Sequence, residues 1–257
     1  MKARHECKLC GRNGDLRQSH ILPEFLYKVS YDAKHRLVVA STGENEFVRI
    51  EQRGLREELL CQGCETRLSA WERYAHQVMF RTDSFSVADE PKRLVIHGID
   101  YGRFKLFQHS ILWRASVASG DMFRGVSLGP HQERLRGALL RGDPGDPYDY
   151  PCIFLTVPEM PAILDRAITS PEHYRFQGCH AYRFTLGRMF ASFVVSNRAK
   201  DVVVPAAILS RAGELPVLKD VDGATLPLIR HMFARLASSE KLRTATENTE
   251  QAHSGDA

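Results

Sequence analysis

The chain has 257 residues, 43% of them hydrophobic, and a formal net charge of +4. That is enough bulk to bury a substantial core in one large or two modest domains, so the sequence reads as a folded globular protein. No run approaches the roughly eighteen uninterrupted apolar residues of a membrane span, and the opening MKARHECK lacks the apolar segment of a signal peptide; both features predict a soluble, cytoplasmic protein.

Six cysteines, four of them in two C-x-x-C pairs, are not the dense framework of a small secreted domain and fit a reducing cytosol. The positive charge is uneven: residues 91–140 carry 8 Lys and Arg against 3 Asp and Glu, whereas the cysteine-bearing region is neutral. A basic stretch of that kind is more often a solvated face than a phosphate-binding one, so charge gives only weak support for nucleic-acid binding.

In chain order, the first signal is CKLC, with Cys7 and Cys10, and the second pair, CQGC, brings Cys61 and Cys64 after 50 intervening residues. Each pair makes a tight knuckle that offers two thiolates to one ion, and two knuckles complete a tetrahedral zinc site with Zn–S distances of about 2.3 Å. A redox C-x-x-C would sit at the mouth of a helix in a βαβ setting, which the first pair lacks. Four thiolates leave no open coordination position, so this zinc is expected to stabilise the fold without doing chemistry. Cys152 and Cys179 read as ordinary buried thiols.

Between the knuckles lies SHILP, residues 19–23, followed by a short helix over PEFLYKVS entered through Pro23. HRLVVAS and EFVRIEQ, joined by TGEN, predict a β-hairpin. After the second knuckle, Leu68, Trp71, Tyr74, Ala75 and Val78 recur at helical spacing, predicting an amphipathic helix that begins directly at Cys64. KRLVIHGI reads as a strand and YGRFKLFQHSILWRASVAS as an apolar core helix; HQERLRGALL reads as a shorter helix after Pro130. RGDPGDPYDYP, residues 141–151, is punctuated like a linker. CIFLTV, AYRFTLG and MFASFVVS then read as strands, the last two joined through a turn at Gly187, and LPLIRHMFARLASS as a closing helix before a polar, disordered tail.

Knuckle, SHILP, hairpin, second knuckle and immediate helix, in that order over residues 5–80, resemble the HNH endonuclease family with its zinc-bound ββα-metal core, in the branch with two C-x-x-C pairs. SHILP matches the family pattern at His20, Ile21, Leu22 and Pro23. The resemblance implies that His20 is the general base that deprotonates a water attacking a phosphodiester, a task suited to an imidazole with an ordinary pKa of about 6.5. It also implies Mg²⁺ or another divalent cation as catalytic cofactor, DNA or else RNA as partner, and, by analogy with HNH modules, a role in bacterial defence. Ser19 stands where the family carries an acidic metal ligand, the asparagine expected before the second knuckle is absent, and Glu65 follows that knuckle where a histidine ligand is common. Glu65 is therefore the candidate ligand for the divalent cation, with Glu72 seven residues on along the same helical face. The alternative is a degenerate zinc module that binds nucleic acid or a protein partner. No phosphate-binding loop, dinucleotide fingerprint, zincin or nucleophile-elbow motif occurs.

The expected fold class is α+β. Residues 1–90 form a four-cysteine, zinc-stabilised ββα-metal-like module, 91–240 a mixed α+β domain containing the linker-like stretch, and 241–257 a tail.

Overall fold

The computed structural model describes residues 5–31, 34–41, 48–52, 54–81, 84–157, 167–186, 189–219 and 221, and these form an α+β fold. Strands β1 (His5–Glu6) and β2 (Asn13–Gly14) pair across the first knuckle, where Gly11 takes the left-handed conformation, φ +74°, that closes the turn. β3 (Leu16–His20) does not pair with its sequence neighbour. It runs antiparallel to β6 (Arg56–Cys61), which ends on the second knuckle, so the two cysteine pairs are brought together by one strand pairing. Between them the expected hairpin is present as β4 (Leu37–Ala40) and β5 (Val48–Glu51).

The helix expected over Pro23–Ser30 is instead two single 3₁₀ turns, Glu24–Leu26 and Lys28–Ser30. Tyr27, at φ −128° and ψ 8°, breaks the run, and in doing so lets both Leu26 and Tyr27 be buried; tertiary burial outweighs the weak local propensity. α1 (Gln62–Phe80) starts inside the second knuckle, two residues before the expected Cys64, and buries Cys64, Leu68, Tyr74, Ala75 and Val78, while Trp71 of the expected face is half-buried.

β7 (Ser86–Glu90) and β8 (Arg93–His97) lead into α2 (Tyr101–Val117), whose first turn is capped by the Asp100 carboxylate accepting from the Arg103 amide at 3.0 Å. α3 (His131–Arg141) ends on Gly142 in the left-handed conformation. Then come β9 (Cys152–Thr156), β10 (Ala167–Thr169), β11 (Glu172–Phe176), β12 (Cys179–Leu186), β13 (Met189–Val195), the single turn α4 (Ala199–Val202) and β14 (Leu215–Leu218). Seven of these strands form one sheet in the order β11-β12-β13-β9-β14-β8-β7, antiparallel except where β14 meets β9. β10 leaves that sheet and adds in parallel to the free edge of β4.

α2 is central, packed against α1 and α3. Its apolar face is as expected, with Phe104, Phe107, Leu112 and Trp113 fully enclosed, yet Lys105, Gln108, His109, Ser110 and Arg114 are also at most 1% exposed. Helical periodicity sees a polar residue as a surface residue; here several are interior and need partners. Residues 142–151 supply some of them. Pro147 O accepts from Lys105 Nζ at 3.1 Å, Asp149 O lies 3.1 Å from His109 Nε2, and Gly145 O accepts from the Tyr101 hydroxyl at 2.9 Å. The linker-like stretch is thus a strap over α2, and the main hydrophobic core runs from Cys7 to Val217, with a second, smaller cluster around Ile153, Val194 and Ile208.

Cys152 and Cys179 are buried free thiols, as expected. The turn at Gly187, the closing helix over 226–239 and the tail lie outside the described residues. Among the described residues no helix is long and apolar enough to cross a membrane.

Candidate functional site

The β3–β6 pairing and the start of α1 gather Cys7, Cys10, Cys61 and Cys64, whose sulfurs all lie within 4.8 Å of one another. Thiolates about 2.3 Å from a tetrahedral ion stand about 3.8 Å apart. Cys10 Sγ and Cys61 Sγ are 3.8 Å apart. The Cys61 amide donates to Cys7 Sγ at 3.3 Å, and the Lys8 amide to Leu59 O at 3.1 Å, so the backbone of each knuckle holds the other. Arg136 on α3 donates to Leu9 O at 2.7 Å and ties the first knuckle to the helical layer. Burial raises the thiols of Cys7 and Cys64 above the ordinary range, a cost that a bound divalent cation removes by holding them as thiolates. The donor set and spacing fit a structural metal such as zinc, held by these four residues.

His20 closes β3, opposite Arg56 of β6. Its ring is partly open, and Nε2 lies 3.9 Å from Glu24 Oε2, while Arg56 Nη2 lies 3.8 Å from the other oxygen of the same carboxylate. Burial, reinforced by Arg56, holds the imidazole below its ordinary range despite Glu24 and Glu72, so the ring is neutral at pH 7. The His20 Nε2 atom is shielded and has no hydrogen-bond partner.

The two residues before and after the strand end engage different partners. Ser19 is fully buried, and its hydroxyl donates to Glu65 Oε2 at 2.7 Å. His20 carbonyl oxygen accepts from Arg114 Nη1 at 2.7 Å, and Arg114 Nη2 lies 2.6 Å from Glu72 Oε1, close in distance though not in line for a hydrogen bond. The structure therefore joins Glu65 to Ser19 and His20 to Glu24, with no hydrogen bond or ion pair between Glu65 and His20 among the described residues. Glu72, which shares the helical face of Glu65, is the counter-ion of a completely buried arginine.

The four cysteines are, among the described residues, the only three or more His, Cys, Asp or Glu side chains whose ligand atoms gather this closely. Glu24 and Arg114 were not singled out from sequence. Glu24 stands four residues after His20, a spacing that could have raised it; Arg114 had no signal at all, being 94 residues away from the carbonyl it holds.

Of the eight cations in residues 91–140, Lys92, Arg103 and Arg134 are exposed without an ion pair among those described, and the other five are interior or paired. Lys105 and Arg114 are interior, and Arg93, Arg124 and Arg136 are paired with Glu90, Asp121 and Glu133. Comparison with protein-family models, with characterised proteins and with solved structures returns no match.

Proposed function

We propose that the chain is an HNH-like, metal-dependent endonuclease that hydrolyses phosphodiester bonds in DNA, with RNA as the second candidate substrate. The observation that supports this best is the contact between Ser19 and Glu65. Where the resemblance calls for an acidic ligand on the strand, the chain has a hydroxyl, and a carboxylate from α1 reaches to within 2.7 Å of it. The negative charge missing from position 19 is supplied at nearly the same place by another element, one residue away from a neutral imidazole.

In this reading Glu65, with the Ser19 hydroxyl beside it, would hold a divalent cation, whose chemistry is to stabilise negative charge on the phosphate and the leaving oxygen. His20, neutral at pH 7, takes the proton of the attacking water. Arg114 fixes the strand end through the His20 carbonyl, and Glu24 faces the ring and stabilises the imidazolium that forms. A role in defence against foreign DNA follows only by analogy with other HNH modules.

The test is cleavage of plasmid, single-stranded DNA and RNA with Mg²⁺, Mn²⁺ or EDTA by the full chain, by His20→Ala and by Glu65→Gln. Cleavage abolished by EDTA and by both substitutions is the expected result. A second reading, a zinc module that binds nucleic acid or a protein without cutting, is favoured by one observation. Both candidate carboxylates already have protein partners, Glu65 with Ser19 and Glu72 with Arg114. Wild-type protein that is inert with every cation yet retards DNA on a gel would overturn the nuclease in favour of this reading.

A further inference from the structure

Far in sequence from the four clustered cysteines, β11 and β12 form a hairpin whose two-residue turn, Gln177–Gly178, has φ of +47° and +83°. Positive φ at both positions is the turn whose twist matches that of the flanking strands, and it fixes the register tightly. Phe176 stands opposite Cys179, Arg175 opposite His180, and His173 opposite Tyr182. His173 and His180 are consequently diagonal neighbours on one face. Their ring planes are 24° apart with centroids 5.0 Å apart, and His173 Nε2 lies 2.8 Å from His180 Nδ1, so the rings meet nitrogen to nitrogen. Both residues are exposed, so no demand of the core brings them together.

We propose that His173 and His180 form a bidentate site for a divalent transition-metal ion of the nickel or copper kind. In the metal-free pair one ring donates its N–H to the other nitrogen; on binding, that ring changes tautomer, its proton moving by exchange with solvent to its other nitrogen, so that two neutral imidazole lone pairs face the ion and water completes the coordination. Two nitrogens about 2.0–2.1 Å from one ion stand about 2.9 Å apart at a right angle and about 3.4 Å apart at the tetrahedral angle. The observed 2.8 Å is that of a direct hydrogen bond with the rings head-on, so the two exposed rings turn to bring both lone pairs onto one ion. So short a span suits neighbouring positions on a tetragonal or octahedral ion better than tetrahedral zinc.

The scaffold is rigid on both sides. β12 is paired along its other edge with β13, and His173 rests on the Tyr182 ring at 5.1 Å, whose hydroxyl is itself anchored to Ser127 O. Partial burial, with His180 and Arg175 nearby, keeps the His173 imidazole below its ordinary range and therefore in the neutral form that binds metals. Arg175 directs its guanidinium to Gly178 O at 3.1 Å, toward the turn. The two metal sites differ in kind: four thiolates suit zinc-like ions, whereas an imidazole pair takes copper and nickel ahead of the earlier divalent metals. Nothing in this inference depends on the nuclease reading.

The experiment titrates Ni²⁺ into the full chain, purified with the metal of its cysteine cluster in place, near neutral pH. Calorimetry gives the stoichiometry, and paramagnetic broadening of histidine ring-proton signals identifies the ligands. One additional Ni²⁺ per chain, with broadening centred on His173 and His180, is expected. Since loss even of an outer-shell partner weakens metal sites by 10–100-fold, His173→Gln and His180→Gln should each weaken binding by about 100-fold. Both positions are exposed, and unchanged metal content in the cysteine cluster verifies that each variant is folded. Equal Ni²⁺ affinity in wild type and the double variant, or broadening at other histidines, overturns the site.

Discussion

The region up to α1 is made of two- and three-stranded sheets and short turns, whereas the region beyond it has a seven-stranded sheet together with α2 and α3. Small sheets bury little apolar area by themselves and depend on a staple; wide sheets with helices supply their own core. The first region accordingly has its four-cysteine cluster, and it also leans on the second. β10 extends its hairpin, Arg136 and Arg114 hold its knuckle and its strand end, and the core is continuous across both. The two regions differ in what orders them but share their interior.

The largest expected effect separates them by cause. Cys61→Ser, or stripping the metal with a chelator, removes binding energy on the order of 10 kcal/mol that is mostly folding energy. Metal analysis should fall well below one ion per chain, and circular dichroism and proteolysis should show the first region unfolded. Phe107→Ala, a cavity under α2, should cost about 3–5 kcal/mol. Because the core is shared, unfolding of this variant should release the cysteine-bound metal in the same transition; metal retained after the sheet melts would show two independent units instead.

Arg114→Gln leaves Glu72 without its buried counter-ion and should cost about 3–5 kcal/mol. Adding Glu72→Gln should restore part of that loss in a double-mutant cycle by denaturant melts, which locates the coupling between α1 and α2. Acid should act through the strap over α2. Burial, helped by Lys105, lowers His109 from an ordinary 6.5 to about 3. Its neutral form contributes stability that is complete above pH 6.5 and is lost as pH falls toward about 3, because the unfolded chain takes up the proton first. The slope from one such group is about 1.4 kcal/mol per pH unit, and His109→Gln should flatten it in denaturant midpoints measured across that window. Smallest for stability is Glu65→Gln, about 1 kcal/mol from one hydrogen bond, with cleavage nevertheless abolished if Glu65 holds the cation.

Much of the local structure was legible in sequence. Apolar residues at helical spacing fixed the buried face of α1, and short apolar runs marked β9, β12 and β13, although the period-two pattern expected there is absent because these strands are buried on both faces. The short helix after Pro23 failed because burial of Leu26 and Tyr27 overrode a weak local preference. The interior polar face of α2 failed for a different reason: a buried lysine, histidine or arginine looks like a surface residue until the partner that satisfies it is known.

What the sequence by itself determined is the four-cysteine cluster. Two C-x-x-C knuckles can complete one four-thiolate site, whereas Cys152 and Cys179 stand singly in the sequence. Which residues surround His20 was decided by tertiary structure alone. Ser19 meets Glu65 across 46 positions and the His20 carbonyl meets Arg114 across 94, through the register of β3 on β6 and the packing of α2 against α1. Such contacts depend on strand pairing and helix packing at long range, and a one-residue slip in that register would exchange the faces to which Ser19 and His20 point.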